Sequence, residues 1–254
     1  MSRSMNDRRL DPIEMALARL SRLTPSTAAW LDWQRRGSLW RWGGPMNGQP
    51  VRQALVRRFV AAMGPAAIVE TGTYRGDTTL FLADIADCET HSCEVDARFH
   101  SFAERRLGHR DDIHLALAAS HHFLRSFADT QPTDVLFYLD AHWEGDLPLH
   151  EELDIISSRF TRSVVLIDDF LVPGDSGYRF EDRGPGRCLS ETTVPADLRD
   201  RWRWHYPAAP SHTEGGKRQG CALLVQLDGG GTDWVGPGLA SELARSWRTV
   251  DGRT

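Results

Sequence analysis

Four of the segments that the sequence predicts to be β-strands end in acidic residues. They are Glu70, Asp96, Asp140 and the pair Asp168 and Asp169. The carboxyl ends of parallel strands meet at one edge of a sheet, and carboxylates gathered there repel one another unless a cation joins them. Since Mg²⁺ prefers oxygen ligands, the sequence predicts a divalent-metal site at Asp140, Asp168 and Asp169. The alternative is that Asp168 caps a turn and Asp140 only positions a cofactor.

A histidine stands next to this predicted site. His142 follows Asp140 by two residues, so its side chain can face the same crevice. Histidine is the usual general base near neutral pH. The sequence therefore predicts catalytic roles for His142 and Asp140, with His142 as the base. The alternative is a histidine that is only packed and hydrogen-bonded.

A glycine-containing turn, E-T-G-T-Y-R-G over residues 70–76, follows the first predicted strand. Gly72 and Gly76 lack a Cβ, so the backbone can turn sharply and approach a ligand. About twenty residues later, Glu94 and Asp96 stand where doubly wound folds place the carboxylate that binds ribose hydroxyls. The spacing E-x-G-x-x-x-G differs from the dinucleotide motif G-x-G-x-x-G, which argues against NAD and favours another nucleoside-like cofactor. The alternative is an ordinary turn.

Strand and helix patterns alternate along most of the chain. The predicted strands are residues 66–71, 91–96, 113–117, 134–140, 163–169, 202–206 and 220–227. The predicted helices are residues 51–63, 78–86, 97–107, 120–128, 148–160 and 239–247. This alternation predicts an α/β fold with a doubly wound, mostly parallel seven-stranded sheet, helices on both faces and an antiparallel final pair. Residues 172–195 are predicted to form a long loop that could act as a lid.

The first fifty residues carry a helical, tryptophan-rich pattern. The apolar face of the first predicted helix carries Ile13, Ala16, Leu17 and Leu20. Trp30 and Trp33 fall on a second predicted helix, and Trp40 and Trp42 follow in an irregular stretch. We interpret residues 1–50 as an extension that serves as a lid or an oligomer contact. Residues 51–254 are interpreted as a cofactor-binding catalytic domain that folds without the extension.

Composition narrows the function classes. The 254 residues carry a formal net charge of −5, so the chain lacks the basic field that nucleic-acid binding requires. No apolar run is long enough to predict a membrane span. The four cysteines have no paired spacing, which is typical of reduced thiols. We therefore expect a cytoplasmic protein that acts on a small molecule, without nucleic-acid or membrane partners.

Several segments resemble the motifs of class I S-adenosylmethionine (SAM)-dependent methyltransferases. They are V-E-T-G-T-Y-R-G at 69–76, E-V-D at 94–96, Y-L-D-A-H-W at 138–143, L-P-L at 147–149, E-E-L at 151–153 and V-L-I-D-D-F at 165–170. Within that class, the chain is most similar to small-molecule O-methyltransferases of the macrocin and aminocoumarin-sugar type. The resemblance covers roughly residues 60–227 and implies the Rossmann-like methyltransferase fold. Tyr74 stands where the class commonly has its middle glycine.

The resemblance implies a set of cofactor contacts. The turn residues would border the methionine part of SAM, Glu94 or Asp96 would hold its ribose, and Ser120 would lie near its adenine. The full set is Glu70, Gly72, Thr73, Tyr74, Gly76, Thr78, Glu94, Asp96, Ser120 and Asp140. The resemblance also implies that Asp140, Asp168 and Asp169 match the carboxylates of the metal-dependent members, with His142 at the base position.

The leading hypothesis is SAM-dependent O-methylation of a hydroxyl on a small polyhydroxylated molecule, such as a natural-product sugar, with the help of Mg²⁺ or another divalent cation. The sulfonium methyl is already activated, so the site must mainly align the reacting atoms, while a metal and a base assist deprotonation of the hydroxyl. Two alternatives stay open. One is a metal-independent N- or O-methyltransferase; the other is a non-catalytic cofactor-binding or assembly protein that forms homo-oligomers through the extension.

Overall fold

The computed structural model of the protein describes residues 12–35, 43–129, 133–142, 147–228 and 230–249. The strands are β1 (Ala67–Thr71), β2 (Glu89–Glu94), β3 (Ile113–Leu117), β4 (Val135–Leu139), β5 (Val164–Asp168), β6 (Trp202–Pro207), β7 (Cys221–Gln226) and β8 (Trp247–Arg248). They form one sheet in the order β3-β2-β1-β4-β5-β7-β6-β8. The first five strands in this order are parallel neighbours, whereas β7 runs antiparallel to both β5 and β6.

This topology confirms the predicted α/β class, the mostly parallel sheet and the antiparallel final pair. The structure adds one strand to the predicted seven. The sequence pattern assigned Trp247 to the last helix, but that helix ends at Ser246 and the backbone of Trp247 pairs with Pro207 of β6.

Helices cover both faces of the sheet. They are α1 (Pro12–Ser21), α2 (Pro25–Trp33), α3 (Pro45–Gly48), α4 (Pro50–Met63), α5 (Asp77–Ile85), α6 (Ala97–Leu107), α7 (Ser120–Ala128), α8 (Leu149–Arg159), α9 (Ala196–Arg199) and α10 (Pro237–Ser246). The short α3 is a tight turn, because Met46 and Asn47 have positive φ. In the described part of the chain, no helix is both long and apolar enough to cross a membrane.

The central strands β1, β4 and β5 are buried along their whole length. Phe137 of β4 packs into a cluster with α7 and α8, and its neighbour Tyr138 packs into a second cluster with α4, α5 and α10. A strand covered on both faces requires such a continuous apolar run. In the register, Leu139 pairs with Thr71 on one side and Ile167 on the other. The residues that follow these three strands therefore lie side by side at one edge of the sheet.

The extension packs on the domain through only part of its predicted apolar face, together with two buried carboxylates. In α1, Glu14 is buried and Ile13 is 51 % exposed. In α2, Asp32 is buried and Trp30 is 46 % exposed. Leu17 of the predicted apolar face is buried as expected, but Ile13 is not, because the two buried carboxylates contact buried arginines. The irregular stretch predicted to carry Trp40 and Trp42 lies outside the described residues.

The long loop predicted at residues 172–195 is packed onto the domain. Tyr178 and Leu189 are buried, and the N–H of Leu171 donates to the carbonyl of Leu189 at 2.8 Å. The N–H of Glu181 donates to the carbonyl of Asp169 at 2.8 Å. The loop therefore passes beside the carboxyl end of β5 and forms a wall there.

Candidate active site

Two of the three predicted metal ligands meet His142 beyond β4 and β5. Nε2 of His142 lies 3.4 Å from Oδ1 of Asp140 and 3.3 Å from Oδ2 of Asp169. One donor atom from each of the three side chains lies within 4.8 Å of the other two. The His142 side chain is 8 % exposed, and Asp140 is the more open carboxylate at 35 %. The cluster therefore presents two carboxylates and one imidazole to a shared point.

The charges around His142 favour a protonated ring. Burial by itself favours the neutral ring, but the hydrogen bond to Asp169 and the charges of Asp140 and Asp169 raise the pKa of His142 to about 9. Burial and the charge of Asp168 raise the pKa of Asp140. Burial acts in the same direction on Asp169, yet its hydrogen bond to His142 holds the pKa of Asp169 below its ordinary value. Near neutral pH, the ring of His142 is therefore already protonated. A general base must be unprotonated to accept a proton, so the ring in this state cannot serve as one.

Asp168, the third predicted metal ligand, contacts other residues and not His142. Its Oδ1 accepts hydrogen bonds from the guanidinium of Arg52 and the N–H of Asp169. Its Oδ2 accepts from the hydroxyl of Tyr138 at 2.7 Å and from Nδ2 of Asn47 at 3.1 Å. A carboxylate has about four acceptor positions, and these four donors occupy them. The structure brings Asp140 and Asp169 together but separates Asp168 from them, in a buried ion pair.

Arg52 is a residue of the site that the sequence motifs did not identify. Its guanidinium is buried, pairs with Asp168 and donates to the carbonyl of Gln219. Burial by itself favours a neutral guanidinium, but the charge of Asp168 raises the pKa of Arg52 above its ordinary value. The sequence did contain a signal. Arg52 lies on the apolar face of α4, three and four residues before Leu55 and Val56, and a charge there requires a buried partner.

The turn after β1 touches the end of β4. Gly72 has a φ of +91°, and a Cβ at this position would lie 2.5 Å from the carbonyl oxygen of Asp140. At Gly76 a Cβ would lie 2.6 Å from the side chain of Leu107, so this glycine lets α5 begin close to α6. The sequence predicted that both glycines admit a ligand. In the structure, contacts within the protein already require them.

Gly72→Ala is expected to destabilise the protein more than Gly174→Ala, which is a matched control. Both glycines have positive φ, but nothing lies within 4 Å of the Cβ position at Gly174. The control should cost about 1–2 kcal/mol for its left-handed backbone. Gly72→Ala must also displace the backbone of Asp140. Urea unfolding of the two variants measures the difference, and equal losses would show that the turn accepts a Cβ without moving β4.

Glu70 lies beneath the turn. It is fully buried, and its Oε2 accepts hydrogen bonds from the hydroxyls of Thr79 and Ser92. The hydroxyl of Thr73 continues this chain, 2.6 Å from that of Ser92. Burial raises the pKa of Glu70 to about 7, although the two hydroxyl donors favour the charged form. Two of the predicted cofactor contacts, Glu70 and Thr73, thus support the turn from below.

Glu70→Gln is expected to remove a pH dependence of stability. The folded-state pKa of about 7 exceeds the ordinary value of 4.5, so between these pH values the folded protein holds a proton that the unfolded chain has lost. The stability of the native protein should therefore fall by roughly 3 kcal/mol as the pH rises through this range. The glutamine variant should lack this loss. Urea unfolding at several pH values compares the two proteins, and parallel curves would contradict the raised pKa.

Glu94 and Asp96, the two carboxylates predicted to bind ribose, have different hydrogen-bond partners. Glu94 accepts the N–H of Tyr74 on Oε2 at 2.7 Å and the N–H of Asp96 on Oε1 at 2.9 Å. Asp96 caps α6, since its Oδ1 accepts the N–H groups of Arg98 and Phe99. Burial raises the pKa of Glu94 to about 7. Because each carboxylate oxygen has two acceptor positions, Glu94 has acceptor capacity left for a hydroxyl of a ligand.

Two apolar side chains that sequence analysis did not select lie at the carboxyl ends of β2 and β3. Val95 is 68 % exposed and Leu117 is 54 % exposed. Leu117 pairs with Glu94 across the two strands. Ser120, predicted to lie near adenine, begins α7 and is 6 % exposed. The sequence did contain a signal for Val95, since it is an apolar residue between two acids in the E-V-D segment.

Tyr74 and Thr78, the remaining predicted cofactor contacts, join the turn to its neighbours. Tyr74 has a φ of +50°, and its ring packs on that of Phe99 with centroids 4.4 Å apart. The hydroxyl of Thr78 accepts the N–H of Met46 at 3.1 Å. Met46 is 1 % exposed. The C-terminal part of the extension is therefore built into the wall of the site.

Arg75 of the same turn is fully buried under the extension. Oδ2 of Asp32 accepts hydrogen bonds from its Nε at 3.1 Å and its Nη2 at 2.6 Å. The carboxylate of Glu14 accepts from Arg75 at 2.9 Å and from Arg98 at 3.0 Å. The guanidinium also lies 5.7 Å from the ring centroid of Phe102. Helices α1 and α2 thus hold the glycine-containing turn by a buried ionic network.

Known proteins resemble this chain in structure. No protein-family model and no curated protein matches it. The O-methyltransferase from Bacillus cereus in complex with SAH has a TM-score of 0.53 at 14 % identity, over 85 % of this chain and 100 % of that chain. A Staphylococcus aureus structure with the provisional name caffeoyl-CoA O-methyltransferase has a TM-score of 0.52 at 14 % identity, over 81 % and 100 % of the two chains.

A third structure, provisionally named an O-methyltransferase from Klebsiella pneumoniae, has a TM-score of 0.50 at 17 % identity, over 86 % of this chain and 91 % of that chain. This chain shares their fold. The Rossmann-like fold implied by the sequence motifs is thereby confirmed. The narrower resemblance to macrocin-type enzymes stays a prediction.

Proposed function

We propose that the protein is a SAM-dependent methyltransferase that acts on a hydroxyl of a small molecule. The observation that carries this proposal is the carboxylate of Glu94, which ends β2 with acceptor capacity left for the hydroxyls of a ligand. Exposed Val95 and Leu117 lie beside it. A ribose diol and a flat adenine match these two features. The fold shared with an O-methyltransferase solved with SAH supports the same cofactor.

SAM would supply a methyl group that is already activated on a positively charged sulfur. The residues of the chain must therefore mainly orient an acceptor oxygen toward it. The close approach of Gly72 to the carbonyl of Asp140 supports this arrangement, since the glycine-containing turn lies directly beside the acid cluster. An acceptor bound at Asp140, His142 and Asp169 would thus lie next to the methyl donor.

We further propose that Asp140 and Asp169 hold a divalent cation, Mg²⁺ or another ion. Their oxygens fit the ligand preference of such ions, and the cation would polarise the acceptor oxygen. Asp168 takes a positioning role, because it accepts the N–H of Asp169 while paired with Arg52. His142 is the proposed base. A bound cation would offset the negative charges of Asp140 and Asp169, which raise the pKa of the His142 ring.

The geometry of His142 also favours a second candidate, a metal-independent methyltransferase. The Nε2 atom lies between Asp140 and Asp169, so a protonated ring already supplies positive charge where a cation would bind. Methyl-transfer assays with EDTA, and with Mg²⁺ added back, separate the two candidates. Loss of turnover in EDTA that Mg²⁺ restores supports the first, and full turnover in EDTA supports the second.

Calorimetric titration with SAH tests the cofactor assignment. The native protein should bind SAH, and at a pH above 7, where Glu94 is charged, Glu94→Gln should weaken binding by about 10- to 100-fold, because hydrogen bonds to a charged group contribute about 1.5–3 kcal/mol. Asp96→Asn is the matched control, since Asp96 caps α6 and should affect affinity less. Absence of SAH binding by the folded native protein would reject the methyltransferase proposal.

The proposed acceptor is a polyhydroxylated small molecule, such as a sugar on a natural product. The motif resemblance to macrocin-type enzymes supports this class. A panel of sugar-bearing acceptors, with catechols as the comparison group, tests it by transfer of labelled methyl groups. Methylation of catechols alone would contradict the sugar assignment. SAH binding without turnover on any acceptor would favour the non-catalytic alternative.

We propose that a second copy of the chain covers the outer face of α1 and α2. Large apolar residues are exposed along this helix pair, including Leu23 at 83 %, Met15 at 44 % and Trp30 at 46 %. Large exposed apolar residues gathered on one helix pair are typical of a protein interface. Light scattering should give the mass of an oligomer for the native protein and of a monomer for Leu23→Glu/Trp30→Glu. A native monomer would reject this contact.

A further inference from the structure

Three side chains able to bind a metal meet on a different part of the sheet from the candidate active site. His91 and His114 lie opposite each other on β2 and β3, with ring centroids 4.6 Å apart. Glu89 precedes His91 by two residues and so lies on the same face of β2. Because β1 separates β2 from β4, this cluster is distinct from Asp140, and none of the three residues takes part in the proposed methyl transfer.

The spacing of the donor atoms matches a metal site. The Nε2 atoms of His91 and His114 lie 3.4 and 3.6 Å from the same oxygen, Oε2 of Glu89. One donor atom from each side chain lies within 4.8 Å of the other two. Zinc binds imidazole nitrogen and carboxylate oxygen at about 2.0–2.2 Å, which places tetrahedral ligands about 3.4 Å apart. Small side-chain movements would therefore complete the site.

The scaffold holds the ligands in place and leaves the site accessible. The register of two paired strands fixes both histidines, and the ring of His91 packs 4.8 Å from that of Phe127. Glu89 is 65 % exposed and His114 is 45 % exposed, so an ion can enter from solvent. Two imidazoles and one carboxylate suit Zn²⁺, Co²⁺ or Ni²⁺ better than Mg²⁺ or Ca²⁺.

We propose that Glu89, His91 and His114 form a binding site for a divalent transition-metal ion such as Zn²⁺. Three protein ligands leave a fourth coordination position for water or another small ligand. Since β3 is the edge strand of the sheet, the ion would link it to β2. An ion that binds only the folded protein raises its stability by mass action.

Calorimetric titration of the metal-free full chain with Zn²⁺ tests this site. The titrations use the Asp169→Asn background, which weakens the other cluster of metal-binding side chains. We expect one Zn²⁺ to bind there and His114→Gln to weaken binding by about tenfold or more, since even partners outside the ligand set contribute 10- to 100-fold. Co²⁺ should give the visible absorption of a tetrahedral site, and His114→Gln should lose it.

Two further variants make the test specific. Glu89→Gln, at an exposed position that should not disturb folding, should weaken Zn²⁺ binding as His114→Gln does. His109→Gln, an exposed histidine on the loop before β3, should leave binding unchanged. Zn²⁺ should also raise the melting temperature of the Asp169→Asn protein and not that of its Glu89→Gln derivative. Equal Zn²⁺ affinity in all these proteins, or no binding in the Asp169→Asn background, would show that the cluster forms ion pairs only.

Discussion

Asp168→Asn should lower the free energy of unfolding by about 3–5 kcal/mol, whereas Asp169→Asn should leave the fold intact and lose cation binding. Asp168 and Arg52 are 1 % and 3 % exposed in their side chains, so neutralising the carboxylate leaves a buried guanidinium without its counter-charge. Asp169 faces His142 and the proposed cation, so its neutralisation removes a ligand. Urea unfolding measures the first effect, and calorimetric titration with Mg²⁺ measures the second.

A double variant controls for the loss of hydrogen bonds at Asp168. Arg52→Met in the Asp168→Asn background should recover part of the stability, because the uncompensated charge is gone. His142→Ala should spare Mg²⁺ binding while lowering turnover by about a hundredfold or more if it is the base. An Asp168→Asn protein that is as stable as the native one but cannot bind Mg²⁺ would restore Asp168 to the ligand set predicted from the sequence.

Asp32→Asn should also destabilise the protein, by up to about 3–5 kcal/mol, because it leaves buried Arg75 only with Glu14, which Arg98 shares. The side chains of Asp32 and Arg75 are fully buried, and Nη2 of Arg75 donates to Asp32 at 2.6 Å. Asp84→Asn is the matched control, because Asp84 pairs with Arg110 at the surface, where such a pair contributes at most about 1 kcal/mol. Urea unfolding of the two variants measures the contrast. Equal effects would mean that the extension does not depend on this network.

The ionic network of Arg75 with Asp32 and Glu14 also affects the expected stability of a chain that lacks the extension. The boundary drawn from the sequence predicts that residues 51–254 fold without the extension. Removing residues 1–47 would take away both carboxylate partners of Arg75, and also Met46 and Asn47, which contact α5 and Asp168. We therefore expect the shortened chain to be unstable or insoluble. A soluble fragment with a cooperative unfolding transition would support the original boundary.

Local patterns were sufficient to predict the architecture. Continuous apolar runs such as V-L-F-Y-L before Asp140 can be satisfied only by burial on both faces, so they specify central parallel strands. The acids that follow these runs must then lie at one edge of the sheet. This reasoning places Glu70, Asp96, Asp140, Asp168 and Asp169 near that edge, because the parallel register brings the strand ends together.

The sequence by itself thus determined the fold class and the edge of the sheet where the acidic side chains gather. Only the tertiary structure decided which partner each charged side chain has. Asp168 and Asp169 are adjacent and chemically equal, yet one faces Arg52 and the other faces His142. Glu14 of α1 is buried beside Leu17 although it is charged, because it pairs with Arg75, which lies more than sixty residues away in the chain. An ion pair depends on distances in space, and residue types along the chain do not specify those distances before the elements pack.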